Sequence, residues 1–232
     1  MTRRLALIHT VRSLVPVFGG LTRELAPDVR TTDLVDEALL EEAIAAGEVP
    51  RATAERLERH VAAALEAGAD AVLVTCSSMG DIVDDLRAWH GWPVLRVDEA
   101  MVDAALVAGS RIGVVATLGS TLRPTADLVR RRVRELGRDE TELQVLTRLV
   151  DGAFAALKAG DVEAHDAAVR GALREMLPEV DAIVLAQASM ARVADTLEPG
   201  EAGGTAILAS PRLGVERVVE QLGRIDGPRR ID

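Results

Sequence analysis

Short apolar runs alternate with amphipathic stretches along most of the chain. The runs at 5–8, 29–35, 71–74, 93–97, 112–116, 143–146, 182–185 and 206–208 are of strand length, while 51–67, 101–108, 122–136 and 162–176 space their apolar residues as helices do. Strand and helix in alternation predict a βαβα chain with parallel sheets. Glycines at 47, 68, 109, 137 and 160 fall where helical C-terminal caps are expected.

The pattern is also repeated. Asp70-Ala-Val-Leu-Val-Thr-Cys76-Ser-Ser-Met79 returns, 111 positions on, as Asp181-Ala-Ile-Val-Leu-Ala-Gln187-Ala-Ser-Met190. Ile8-His-Thr10-Val-Arg-Ser13 parallels Val115-Ala-Thr117-Leu-Gly-Ser120, and Val35-Asp-Glu-Ala parallels Val150-Asp-Gly-Ala. Three matched segments in one order predict two similar Rossmann- or flavodoxin-like α/β domains with parallel sheets, related by a pseudo-twofold axis. Their expected bounds are 1–98 and 99–205, with 206–232 as a C-terminal helical segment that packs back on the first domain. The turns at Thr10, Cys76, Thr117 and Gln187 then meet in a cleft between the domains, at the carboxyl ends of the strands, where open α/β sheets bind ligands.

Composition narrows the classes. With 48% hydrophobic residues among 232 and a mean hydropathy of +0.15, a disordered or fibrous chain is excluded. A formal charge of −10, from 27 basic and 37 acidic residues, with no basic stripe interleaved with aromatics, argues against nucleic acid as a partner. The opening apolar stretch is too short for a signal peptide or a membrane span, so no membrane partner and a cytoplasmic location are expected. One cysteine forms no internal disulfide, in keeping with a reducing compartment. The one lysine, Lys158, closes a helical pattern and suits a solvated place there better than a Schiff base. No phosphate-binding glycine motif and no G-x-S-x-G elbow occur, and the four histidines and single cysteine lack metal-ligand spacing. No cofactor and no metal are expected.

Cys76 ends an apolar strand just before Ser77 and Ser78 and a helix predicted over 81–89. Free backbone N–H groups and the helix dipole there favour thiolate, so a depressed pKa and a role as base or nucleophile are expected; the alternative is a small apolar filler. The Ser77 and Ser78 turn, and Thr117 with Ser120 and Thr121, suit either a carboxylate or plain capping. His9, ending the first strand beside Thr10, is placed to reach the cleft as proton carrier or donor, while His60, His90 and His165 read as surface residues. Asp36-Glu37 and Asp98-Glu99 open helices, where acidic side chains satisfy the dipole.

These segments resemble the aspartate/glutamate/hydantoin racemase superfamily over nearly the whole chain, through Ala71-Val-Leu-Val-Thr-Cys76-Ser-Ser, Pro93-Val-Leu-Arg-Val-Asp-Glu-Ala100, Arg111-Ile-Gly-Val-Val-Ala-Thr117 with Thr121, and Ala182-Ile-Val-Leu-Ala-Gln187-Ala-Ser-Met190. The last two look closest to the hydantoin-racemase-like branch. The resemblance implies a cofactor-independent enzyme in which two cysteines flank a substrate carbon, one removing a proton and the other returning it. Cys76 matches the first. Gln187 stands at the second, and an amide exchanges no proton at neutral pH, which argues against two-thiol racemisation.

The expected function is an isomerase acting on a small carboxylate or related carbonyl acid, with Cys76 and Gln187 as the catalytic pair. His9, Thr10, Ser77, Ser78, Thr117, Ser120, Thr121, Ala188 and Ser189 would line the substrate. A lyase of the arylmalonate-decarboxylase kind, with one thiol as proton donor, and a non-catalytic ligand-binding protein on the same scaffold are the alternatives. By resemblance a homo-oligomer is expected.

Overall fold

The computed structural model describes residues 2–194, 196–197 and 200–224. In chain order it runs β1 (Arg4–His9), α1 (Val15–Leu25), β2 (Arg30–Val35), α2 (Ala38–Ala46), α3 (Arg51–Glu66), β3 (Ala71–Val74), α4 (Gly80–His90), β4 (Val94–Arg96), α5 (Glu99–Ala108), β5 (Arg111–Ala116), α6 (Gly119–Glu135), β6 (Gln144–Leu149), α7 (Ala153–Lys158), α8 (Val162–Met176), β7 (Ala182–Leu185), α9 (Ala191–Ala194), β8 (Ala206–Ala209) and α10 (Ser210–Gly223). Every predicted strand is present, and so is the duplication: one sheet has the order β2-β1-β3-β4, the other β6-β5-β7-β8, and all pairs among the described residues are parallel.

Contacts divide the chain into two compact units, one made of residues up to 97 together with those from 211, the other of 98–210. Residues 206–209, a strand-length run that the expected bounds nevertheless assign to the C-terminal segment packing on the first domain, pair with β7 as an edge strand of the second sheet. Their apolar side chains complete that sheet, and the helix starts only at Ser210. Residues 225–232 of that segment lie outside the described residues.

In the first unit the central strands are buried on both faces, as parallel sheets require. Ala6, Ile8, Val72, Val74 and Val94 pack with Leu39, Ala43, Leu57, Val61, Leu65, Val83 and Leu86 from α2, α3 and α4. In α3 the buried residues Thr53, Leu57, Val61 and Leu65 recur every fourth position, the stripe that holds an amphipathic helix on a sheet. In the second unit Val115, Ile183 and Leu185 pack with Val169, Ala172, Leu173 and Met176 of α8. His165 stands at the head of the same stripe and is fully buried, not on the surface as expected. Its Nδ1 lies 2.7 Å from the Asp166 carboxylate, while Nε2 is buried with no hydrogen-bond partner among the described residues. His60 and His90 keep accessible surface and pair with Asp36 and Glu58 at 2.8 and 2.9 Å.

The repeated aspartates that open each copy are anchors at the strand starts. Asp70 accepts the backbone N–H of Arg4 at 2.8 Å, and Asp181 that of Arg111 at 2.9 Å. Gly47, Gly68, Gly137 and Gly160 take the left-handed backbone expected of caps. Gly109 does not: its backbone is extended, and a Cβ there would lie 2.4 Å from an Asp181 carboxylate oxygen, so the glycine admits the anchor. No helix among the described residues is long and apolar enough to cross a membrane.

Candidate active site

Each sheet has the strand order that places a topological switch point between its first and third strands, since the chain leaves the first strand to one side and returns to the other. At the carboxyl ends of these strands stand Thr10 and Cys76 in the first unit, Thr117 and Gln187 in the second. Cys76 and Gln187 have nearly the same extended backbone, with φ/ψ of −122°/114° and −126°/136°, and each leads into one 3-10 turn, Ser77–Met79 or Ala188–Met190. The turns run on into α4 and α9.

The Cys76 thiol is met by the Thr10 hydroxyl, the backbone N–H groups of Ser78 and Met79 and the Ser78 side chain. All of these favour thiolate, as the sequence reading anticipated. Burial outweighs them and pushes the thiol above its ordinary value of 9.0. The expected depressed pKa is therefore corrected. Donors at the turn do act on the sulfur, but Ser77, Ser78, Met79 and Thr10 close around it and withdraw the water that would solvate its charge. The residue itself remains partly accessible.

In the second unit the corresponding position holds a pinned amide. Gln187 Oε1 accepts the Thr117 backbone N–H at 2.6 Å and is 3.2 Å from the Thr117 hydroxyl, while Nε2 donates to that hydroxyl oxygen at 2.9 Å. One N–H of the amide is used in this way. Thr117 and Thr121 are buried, Ser120 is partly so, and Thr121 N–H bonds back to the Leu118 carbonyl at the start of α6. Ala188 and Ser189 form the turn after Gln187, and the Ser189 carbonyl accepts from Arg192 at 2.8 Å. Arg192 in turn holds Asp166 at 2.6 Å.

His9 does not join the Thr10 and Cys76 turn. Successive side chains of a strand point to opposite faces, so His9 is directed under the sheet, fully buried, with Nε2 3.0 Å from Asp33 Oδ1 and Nδ1 2.9 Å from Thr75 Oγ1. Its ring lies 5.7 Å from that of Phe18, centroid to centroid. Burial lowers its pKa against the opposing pull of Asp33; Nε2 faces the acceptor oxygen of Asp33, and the Thr75 hydroxyl beside Nδ1 also reaches the Ile8 carbonyl, to which it donates at 3.1 Å. The partners Asp33 and Thr75 were missed by the sequence reading, as were Arg192 and Asp166. Only the period-two alternation, which puts Thr75 on the His9 face, offered a signal. Among the described residues no group of three or more His, Cys, Asp or Glu is arranged to hold a metal ion.

Fold and turns together define a duplicated α/β protein with one matching strand-end turn per half, bearing Cys76 in one and Gln187 in the other. Residues 10–218 match the model of the Asp/Glu/hydantoin racemase family, and the chain belongs to that family. Allantoin racemase from Klebsiella pneumoniae superposes with a TM-score of 0.66 at 22% identity, over 95% of this chain and 88% of that one. Glutamate racemase from Bacillus anthracis gives 0.68 at 17%, over 95% and 82%, and aspartate racemase from Picrophilus torridus 0.68 at 12%, over 95% and 94%. At these identities the likeness is one of fold. No curated protein matches the sequence.

Proposed function

We propose that the chain is a cofactor-independent isomerase that acts on a small carboxylate or related carbonyl acid through one thiol, Cys76. The observation that carries this reading is the matched pair of switch-point turns, of which one bears an ionisable sulfur and the other a hydrogen-bonded amide. Inverting a stereocentre takes a base on one face of the carbon and an acid on the other. Burial keeps Cys76 protonated near neutral pH, so its ready role is delivery of a proton to one face, while the substrate's own proton leaves to a water molecule on the opposite face; the donors at Thr10, Ser78 and Met79 stabilise the thiolate that remains until solvent reprotonates it. Gln187 moves no proton. Held by Thr117, it binds a substrate oxygen with its second N–H and stabilises an enolate-like oxyanion. Ser77, Ser78, Ser120, Thr121 and the Ala188–Ser189 turn supply donors for carboxylate oxygens, Thr117 being engaged with Gln187, and His9 keeps the sheet end in place.

The protonated resting thiol also suits a second reading, a lyase that delivers one proton to a carbanion after loss of carbon dioxide. Incubation in deuterated water with amino acids, hydroxy acids, hydantoins and prochiral malonates separates the two. Deuterium uptake at the stereocentre of an otherwise unchanged acid identifies the isomerase, and carbon dioxide release the lyase. Either activity should fall by about 10²- to 10⁴-fold in Cys76→Ser, the range for a lost acid or base. Ligand binding without turnover across the panel, or turnover that survives Cys76→Ser, overturns the thiol reading.

A further inference from the structure

Gly80, the first residue of α4, is a glycine for a reason its own backbone does not supply. It is right-handed helical, with φ −59° and ψ −43°, where any residue would serve. A Cβ built there would stand 2.2 Å from Nη2 of Arg96, 2.3 Å from Cζ and 2.8 Å from Nε. The guanidinium therefore lies flat against the Gly80 Cα. Arg96 ends β4, beside Val74 at the end of β3, and its side chain is fully buried, the largest such side chain in the chain's described part. A buried cation in that place needs anchoring. Nη1 lies 2.6 Å from Asp84 Oδ2, one helical turn beyond Gly80 on the same face of α4, and 3.7 Å from Asp81.

This arrangement touches the sulfur's own surroundings. The turn that carries Cys76 runs through Ser77, Ser78 and Met79 into Gly80, and the N–H groups of Ser78 and Met79 are among those directed at the thiol. Where Gly80 sits sets where those N–H groups point. We propose that Arg96 is a positioning residue for Cys76: its buried guanidinium, tied to Asp84, is the seat on which Gly80 and the thiol-bearing turn rest. The inference relies on Cys76 being the reactive group, but its test needs no substrate.

Cys76 is the only cysteine, so the rate of iodoacetamide adduct formation, followed by intact mass across pH, reads its ionisation directly. The midpoint reports the donors around the sulfur, and the high-pH plateau reports access. Gly80→Ala should displace the guanidinium, raise the midpoint and slow alkylation at pH 8 by about tenfold, the effect of losing one hydrogen bond to a charged acceptor. Arg96→Met leaves the half-buried Asp84 to its ion pair with Arg87 and empties a fully buried position, so this variant can fail to fold. The double variant Arg96→Met/Asp84→Leu removes both charges, a replacement that buried ion pairs tolerate. In that background Gly80→Ala should produce no further slowing, because the group it strikes is gone. Folding is followed by thermal melting in every case. The proposal is overturned if Gly80→Ala, folded, keeps the parent profile, or if it slows alkylation equally with and without Arg96. Failure of the isomerase reading would show instead as absent turnover with these profiles unchanged.

Discussion

Removing the Thr10 hydroxyl tests whether the donors around Cys76 set its chemistry. Thr10→Val keeps the shape of a side chain that is only 4% exposed, so no cavity opens, and it deletes one of the hydrogen bonds that favour thiolate. A hydrogen bond to a charged acceptor contributes about 1.5–3 kcal/mol. Sulfur is a weaker acceptor than oxygen, so the low end applies, and about 1.4 kcal/mol corresponds to a tenfold change in the ionised fraction. Burial already holds the thiol above 9.0, and the variant should push it higher. Iodoacetamide alkylation at pH 8 should therefore slow by about tenfold, with an unchanged plateau at high pH, since access to the sulfur is the same. Melting temperature should move by only a few degrees. A profile that coincides with the parent's, or that shifts to lower pH, refutes the assignment of Thr10 as a donor to the sulfur.

Thr117→Val removes the hydroxyl that accepts from Gln187 while leaving the 2.6 Å backbone bond; at about 1 kcal/mol for a neutral hydrogen bond, kcat/KM should fall by about fivefold with melting little changed. Stability should decline on acidification below about pH 6.5, the ordinary histidine value. His9 is held neutral in the fold, so the unfolded chain binds more protons as pH drops, and the contribution is full only above that pH; a melting temperature flat from pH 7 to 5 would contradict it. Asp181, held down to about 2 by the Arg111 side chain and the backbone N–H groups of Arg111 and Ser110, contributes above the ordinary carboxylate value of 3.8, and that contribution is lost as pH falls from there towards 2; Asp181→Asn should flatten this acid limb of the melting curve. Gly113→Ala places a Cβ 2.3 Å from Met176 Sδ and should destabilise by about 1–3 kcal/mol as overpacking does. In Gly113→Ala/Met176→Ala that penalty should vanish relative to Met176→Ala alone, as measured by denaturant melts.

The duplication, the parallel sheets and the turns bearing Cys76 and Gln187 were legible in the residues, because apolar periodicity and strand-to-turn punctuation are local and each half states them independently. The charge state of Cys76 was not. A strand end before a helix announces donors, but whether they prevail depends on how closely Thr10 and Ser78, 66 and 2 positions away, enclose the sulfur. His9 was legible as a strand-end residue, yet its direction came from the pairing of β1 with β2 and β3, which brings Asp33 and Thr75 to its ring. Nothing local marks Gly80; the reason for a glycine there exists only once β4 lays Arg96 against it. The sequence alone thus determined the elements, their order and which residues end the strands, since these follow from short-range preference and pattern. Only the tertiary structure decided what each polar group faces, because desolvation and hydrogen bonding are set by atoms distant in the chain and close in space.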